Sequence, residues 1–313
     1  MFRWRKRGLV VDAGSLGGLV ASHAQTPTPL LLEDRIRVYF AARGADGKSF
    51  TAFADLDRDD PTRILKIHPD PVLEPGKPGT FDDEGIMPSC VMVDGDRVLL
   101  YYSGWNQRKT IPYHNSTGLA ESHDGGVTFR RVYEGPVLDR TPEEPYLAVT
   151  PSVLRDAAGW RIWYISGLRW ESIAGRFEPV YVIKRASSGD GVHWQRPNET
   201  CIAQRHDLEA FSRPWVLCLN GAYHLWYCYR HSIDYRDGPG SYRIGYASSA
   251  DGERWERKDA LAGIGVSDAG WDSSMICYPS VVRVSNQLLM FYNGNGFGRD
   301  GFGIAAADLG DVQ

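Results

Sequence analysis

Carboxylates recur in this chain at one kind of place, the few residues that lead into a proline. TFDDEGIMP supplies Asp82, Asp83 and Glu84, TPEEPYLAVTP supplies Glu143 and Glu144, DLEAFSRP supplies Asp207 and Glu209, and WDSSMICYP supplies Asp272. Two carboxylates are the residue pair for general acid–base work. One protonates a leaving oxygen while the other activates water, at roughly 6.5–9.5 Å separation when a glycosidic bond is cleaved with inversion. On this reading Glu84 or Glu144 is the acid, its pKa raised by neighbouring negative charge and partial burial, and Glu209 is the partner, with Asp83 beside them. The competing reading makes each acid an acceptor for backbone amides or a partner for arginine.

Other polar and aromatic residues fall close to the same places. The segment ASHAQTPTP has His23 and Gln25 where the other lead-ins have acids. Trp105, Tyr113, Tyr146, Trp170 and Trp271 lie nearby in sequence, and such rings suit the apolar faces of sugars. Arg43, Arg169, Arg185, Arg213 and Arg230 are numerous for a neutral sugar. They point to a uronic acid, a phosphorylated sugar or inorganic phosphate, against the alternative of pairing with the acids above. The expected binding set is His23, Gln25, Arg43, Trp105, Asn106, Tyr146, Arg169, Arg213, Arg230 and Asp272.

The elements that position these residues repeat. Strand-like runs open on Pro29, Pro88, Pro151, Pro214 and Pro279, at intervals of 59, 63, 63 and 65 residues. Each is followed by a polar turn and an aromatic second strand: RVYFAARG, VLLYYSGWN, RIWYISGLRW, YHLWYCYRH and LLMFYNGNG. A third strand follows a variable loop and ends, three times, in a Ser-x-Asp-Gly turn before an aromatic: SHDGGVTF, SGDGVHW and SADGERW. Four antiparallel strands repeated five times predict an all-β, five-bladed β-propeller, one domain over 1–313. The last repeat stops after its third strand, so FRWRKRGLVV is expected to return as its outer strand and close the ring. Asp124, Asp190 and Asp251 then belong to turns.

Antiparallel order sorts the loops. The Asp-Gly turns lie at one end with the first-to-second turns. The long, dissimilar loops NQRKTIPYHNS, RWESIAGRFEP, HSIDYRDGPGS and NGNGFGRD lie at the other, where the lead-in segments also arrive. The diverse end is the expected site.

Bulk properties narrow the classes. Hydrophobic residues make up 42%, charged residues 24% and aromatics 12%, with 34 Gly and 18 Pro, a composition of short strands and turns. A net charge of −4 gives no general pull toward nucleic acid or anionic membrane. Five cysteines without a C-x-x-C pair read as free thiols, and the scattered histidines form no metal motif, so no metal or cofactor is expected. No apolar run has signal-peptide or membrane-span length, and a cytoplasmic location is expected.

Through its five proline strands, the YYSGWN-like second strands and the SxDGxxW turns, the chain resembles the five-bladed propeller glycosidases of the arabinanase/β-xylosidase, invertase/levansucrase and mannoside phosphorylase types. The resemblance implies a carbohydrate substrate and a carboxylate from each of the first three blades, Asp83 or Glu84 in blade two and Glu143 or Glu144 in blade three. Blade one departs, with His23 or Gln25 in the acid's place, and no NDPNG-like motif is present. A glycoside hydrolase or phosphorylase is thus expected. The alternatives are a non-catalytic propeller that binds glycan or protein, and a sugar-transferring enzyme of polysaccharide metabolism. Oligomeric state is not legible.

Overall fold

The computed structural model describes residues 2–157, 159–236 and 238–311. Ala158, in the turn expected over 156–159, and Asp237, in the loop expected over 231–241, lie outside the described residues, as do the chain ends. After β1 (Arg5–Asp12), the strands fall into five antiparallel groups. The first is β2 (Ser22–Leu31), β3 (Arg35–Arg43), β4 (Ser49–Asp57) and β5 (Ile64–Leu73); the second is β6 (Gly85–Asp94), β7 (Arg97–Gln107), β8 (Tyr113–Ser122) and β9 (Arg130–Arg131). The third is β10 (Ala148–Asp156), β11 (Gly159–Ile173) and β12 (Arg176–Ser188). The fourth is β13 (Glu209–Leu219), β14 (Ala222–His231), β15 (Arg243–Ser249) and β16 (Glu256–Arg257); the fifth is β17 (Cys277–Val284), β18 (Gln287–Asn293) and β19 (Gly301–Asp308). Within each group, neighbours in sequence are neighbours in the sheet. The first three groups touch through single parallel bridges, Ser49 to Gly85 and Ser116 to Ala148.

In the third group, the fourth strand expected after the SGDGVHW turn does not form. Only isolated bridges from Ser187 to Gln195 and from Lys184 to Thr200 remain. Pro197 has no amide to give a ladder, and Asn198 beside it takes a left-handed φ of 59°. The fifth group takes its outer strand from the N-terminus, because β1 pairs antiparallel with β19. Phe2 and Trp4 are buried against Trp226 of β14, and Trp4 Nε1 donates to Ala262 O at 3.0 Å.

The Ser-x-Asp-Gly turns do more than reverse the chain. Asp190 Oδ1 accepts from the amides of Val192 and His193, and Ser188 Oγ accepts from Gly191 N; Asp124 and Asp251 repeat the scheme. These backbone and hydroxyl donors hold Asp190 and Asp251 below the usual carboxylate range, Asp251 at about 2. A ring of the preceding group then reaches the glycine carbonyl of each turn. Tyr39 Oη donates to Gly126 O at 2.6 Å, Tyr101 Oη to Gly191 O at 2.9 Å and Trp163 Nε1 to Gly252 O at 3.0 Å. Gly126 is required twice over: its φ is +83°, and an added Cβ would lie 2.2 Å from the Tyr39 hydroxyl. The repeated turn is therefore a clamp from one strand group to the next.

The innermost strands β2, β6, β10, β13 and β17 share an irregularity. Pairing with the second strand slips at the proline in all five. In four of them the residue before it has a left-handed φ: Thr26 (53°), Thr150 (50°), Arg213 (50°) and Tyr278 (55°). The first-group proline in register with the others is thus Pro27, two residues before the Pro29 read from the sequence repeat. β-Branched and bulky side chains rarely adopt this conformation, and a proline that follows disfavours the helical alternative. Four such outliers at one level of the fold mark the level of the site.

Candidate functional site

A cavity of about 400 Å³ opens where the five innermost strands begin, a volume within the usual range for small-ligand sites. The residues before the prolines reach it: Thr26, Met87, Thr150 and Tyr278 all line it. Arg213, the fifth, is fully buried among the innermost strands. It donates to Pro88 O at 2.8 Å, to Thr28 Oγ1 at 2.7 Å and to Pro27 O at 3.2 Å, so one guanidinium ties β13 to β6 and β2. Burial lowers its pKa to about 10, and it stays charged at neutral pH.

The cavity wall is largely aromatic, with Trp105, Tyr113, Tyr181, Tyr235, Tyr242, Tyr278 and Phe297. Tyr235, Tyr242 and Phe297 meet edge to face at 5.9–6.0 Å between ring centres. Behind them Arg230 stands 3.7 Å from the centre of the Tyr235 ring and donates to Tyr242 Oη at 3.2 Å and to Pro179 O at 2.8 Å. It is a positioning residue for the wall. Arg236 is fixed by a bidentate pair with Glu178, at 2.9 and 3.0 Å.

Four polar side-chain atoms at the cavity are unsatisfied. Thr26 Oγ1, Thr150 Oγ1, Asn115 Oδ1 and Arg43 Nε are buried without a hydrogen-bond partner, a condition that each group relieves by meeting a ligand or water. Arg43 has only a long contact from Nη1 to Gly47 O at 3.4 Å, and among the described residues no carboxylate lies within ion-pair distance of it. Burial depresses its pKa. His23, also lining the cavity, contacts Ser22 Oγ through Nδ1 at 2.8 Å. Its pKa falls to about 4, first through burial and then through the charges of Arg43 and Arg299, with Asp300 opposing.

The four proposed acids are not assembled there; among the described residues no Asp or Glu lines the cavity. Glu144 is buried and accepts from Tyr164 Oη at 2.9 and 3.1 Å, with Lys184 at 3.7 Å and Arg196 at 3.8 Å. Glu209 accepts from both Arg257 Nη atoms at 2.7 and 2.9 Å and from Arg205 N at 2.7 Å. Burial pushes its pKa up, but those donors outweigh burial and hold it below the ordinary value, opposite to what a general acid needs. Asp83 Oδ2 accepts from Gly79 N at 2.7 Å, and Glu84 lies 3.9 Å from Lys48 Nζ on the surface side.

The physical reason is a repeated structural set. The second-strand residue facing each slipped pairing is Tyr102, Tyr164, Tyr227 or Tyr292. Each donates to a buried acid: Tyr102 to Asp82, Tyr164 to Glu144, Tyr227 to Asp259 and Tyr292 to Asp272. A base from farther out in the same group completes it: Arg131 with Asp82, Lys184 and Arg196 with Glu144, Arg257 with Asp259, and Lys6 with Asp272. In the first group the facing residue is Phe40, which has no hydroxyl, and the acid is missing too. Of the four proposed acids, Glu144 anchors a tyrosine, while Glu209 holds Arg257 and Asp83 and Glu84 lie outside the set.

Of the expected binding residues, His23, Gln25, Arg43 and Trp105 line the cavity. Asn106 donates to Thr80 O at 3.2 Å, and Arg169 pairs with Glu171 and donates to Asp207 O at 2.6 Å. Arg213, Arg230 and Asp272 are buried in the roles above, and Tyr146 packs beside Gly167, outside the lining. Among the described residues no group of three or more His, Cys, Asp or Glu could hold a metal ion, and no helix is long and apolar enough to cross a membrane.

No family model matches the chain. The uncharacterized protein Rv1502 of Mycobacterium tuberculosis (strain ATCC 25618 / H37Rv) is 36% identical over 307 residues, covering 97% of this chain and 99% of that protein. This chain belongs to the Rv1502 family. Among solved structures, a glycoside hydrolase superposes with a TM-score of 0.76 at 17% identity, covering 96% of this chain and 90% of that one. A thermostable family-43 glycoside hydrolase gives 0.67 at 18%, with 95% and 91% covered. An N-acetylgalactosamine deacetylase from F. plautii, in complex with blood group B trisaccharide, gives 0.65 at 11%, with 98% and 95% covered. This member of the Rv1502 family thus has an all-β fold like that of those glycoside hydrolases.

Proposed function

We propose that the protein is a five-bladed β-propeller, one domain over 1–313, that recognises a carbohydrate in its axial cavity without a carboxylate acid–base pair. The observation that carries this reading is the make-up of the cavity: aromatic walls, four buried polar atoms without partners, and no lining acid among the described residues. Aromatic faces and convergent hydrogen-bonding groups are what a sugar ring requires. A two-carboxylate hydrolysis requires acids on both sides of the scissile bond, and Glu144 and Glu209 are instead committed to Tyr164 and Arg257. The fold shared with glycoside hydrolases and with a deacetylase bound to a trisaccharide supports a glycan ligand.

The test is a glycan array probed with the wild-type protein and with Trp105→Ala. Wild type is expected to retain a defined subset of glycans. Loss of one ring face, worth about 1.5–3 kcal/mol of buried apolar contact, weakens that binding roughly 10- to 100-fold. The thermal midpoint stays within a few degrees, because Trp105 is only half-buried and its one polar contact is with Ser49 Oγ. Undiminished binding by Trp105→Ala places the glycan elsewhere.

A further inference from the structure

We infer that the ligand carries an oxyanion, a carboxylate or a phosphate or sulfate ester, and that Arg43 and His23 at the first-group side of the cavity receive it. The inference rests on the reading of the cavity as a carbohydrate site and adds the class of sugar.

Three cations lie at or behind the cavity without a carboxylate partner among the described residues. Arg213 and Arg230 spend their donors on carbonyl and hydroxyl oxygens of the protein. Arg43 does not: its Nε is buried and unpaired and its one protein contact is long, whereas Arg213, whose Nε is also unpaired, has both Nη atoms engaged. A half-buried guanidinium left in this way is under-solvated, and an incoming oxyanion restores what burial removed. His23 stands close enough to feel the charge of Arg43. The other arginine lining the cavity, Arg236, is neutralised by Glu178. The unbalanced positive charge of the lining is therefore on the side of β2 and β3, in the cavity that Tyr181, Tyr235 and Tyr242 also line. A sugar held against the rings would present its acidic group to Arg43.

The arrangement couples binding to a proton. The charged groups acting on His23 are Arg43 of β3 and Arg299 and Asp300 of the turn before β19. Burial and the two arginines keep the imidazole neutral above about pH 4. A bound oxyanion opposes the arginines, so His23 takes up a proton at a higher pH, and binding tightens as pH falls through that raised midpoint toward about 4.

Sulfate is the probe for the seat, because its charge is constant across this range. The His23 imidazole is followed by NMR, assigned with His23→Asn, while sodium sulfate replaces chloride at fixed ionic strength. The inference expects the His23 midpoint to rise with sulfate in the wild type. In Arg43→Ala the midpoint starts higher and does not respond, and sulfate binds at least 10-fold more weakly. A His23 titration that ignores sulfate overturns the inference.

A second arm compares matched neutral, uronic, phosphorylated and sulfated glycans on the array, and also separates the possible sources of the charge. Preference for one acidic class, lost in Arg43→Ala, supports the inference. Equal retention of neutral and acidic glycans overturns it and leaves the carbohydrate reading in place. A sulfate response with no glycan of any class retained leaves the anion seat standing and overturns the carbohydrate reading.

Discussion

Glu209→Ala is expected to cost about 3–5 kcal/mol of stability, because removing one partner of a buried ion pair leaves the other charge uncompensated. Arg257 is the charge left behind. It is 13% exposed and gives two hydrogen bonds to Glu209, and the Asp259 that stays beside it at 2.7 Å is shared with Arg205 at 2.9 Å, so two arginines are left with one acid. At this chain length the loss corresponds to a fall in Tm of roughly 5–8 °C. Glycan binding at a temperature where the variant is folded should be unchanged, whereas a catalytic acid would show the reverse pattern. The pH dependence has a definite sign. The folded pKa of Glu209 lies below its unfolded value, so its contribution is complete above the ordinary carboxylate range. It is lost as pH falls through the folded value. The Tm gap between wild type and variant should therefore close in acid, and a gap that widens there would refute the pairing.

Arg213→Ala is expected to be of the same size, about 3–5 kcal/mol. Three oxygens, of Pro88, Pro27 and Thr28, lose a charged donor in a dry environment, and a cavity remains where the side chain stood. Arg213→Lys tests the geometry without the large void. A single ammonium cannot span β2 and β6 as the guanidinium fork does, so it recovers only part of the loss. Chemical denaturation of both variants checks this. Wild-type stability with weakened ligand binding would return Arg213 to the binding set.

The fold was legible because its signals are local. Proline spacing, Ser-x-Asp-Gly turns and aromatic second strands each follow from backbone chemistry within a few residues. The role of the turns between neighbouring groups was not, since the Tyr39 to Gly126 bond joins residues 87 apart. The acids were misleading for a related reason. Position before the innermost strand is visible in sequence; the direction of a side chain is not. Asp82, Glu144 and Asp272 turn toward Tyr102, Tyr164 and Tyr292 and away from the cavity. One clue was present: the repeat without an acid is also the repeat with Phe40 in place of tyrosine. The pre-proline residues Met87, Thr150 and Tyr278 were a second clue, since each precedes a proline of the repeat, whereas Thr26 precedes Pro27 and was hidden by the reading of Pro29. Tyr235, Tyr242 and Phe297 arrive from irregular loops and strand edges, and nothing periodic announces them.

The central claim is that the axial cavity holds a sugar and does not cleave it through paired carboxylates. Saturation-transfer NMR on the best glycan of the array, recorded repeatedly over a day in one tube with the protein, tests both halves at once. The account predicts transfer from the protein to the sugar-ring protons, reduced in Trp105→Ala, and an anomeric region that does not change. New reducing-end anomeric signals that grow with time and vanish in Glu144→Gln or Glu209→Gln would contradict it, and would restore those residues as the catalytic pair.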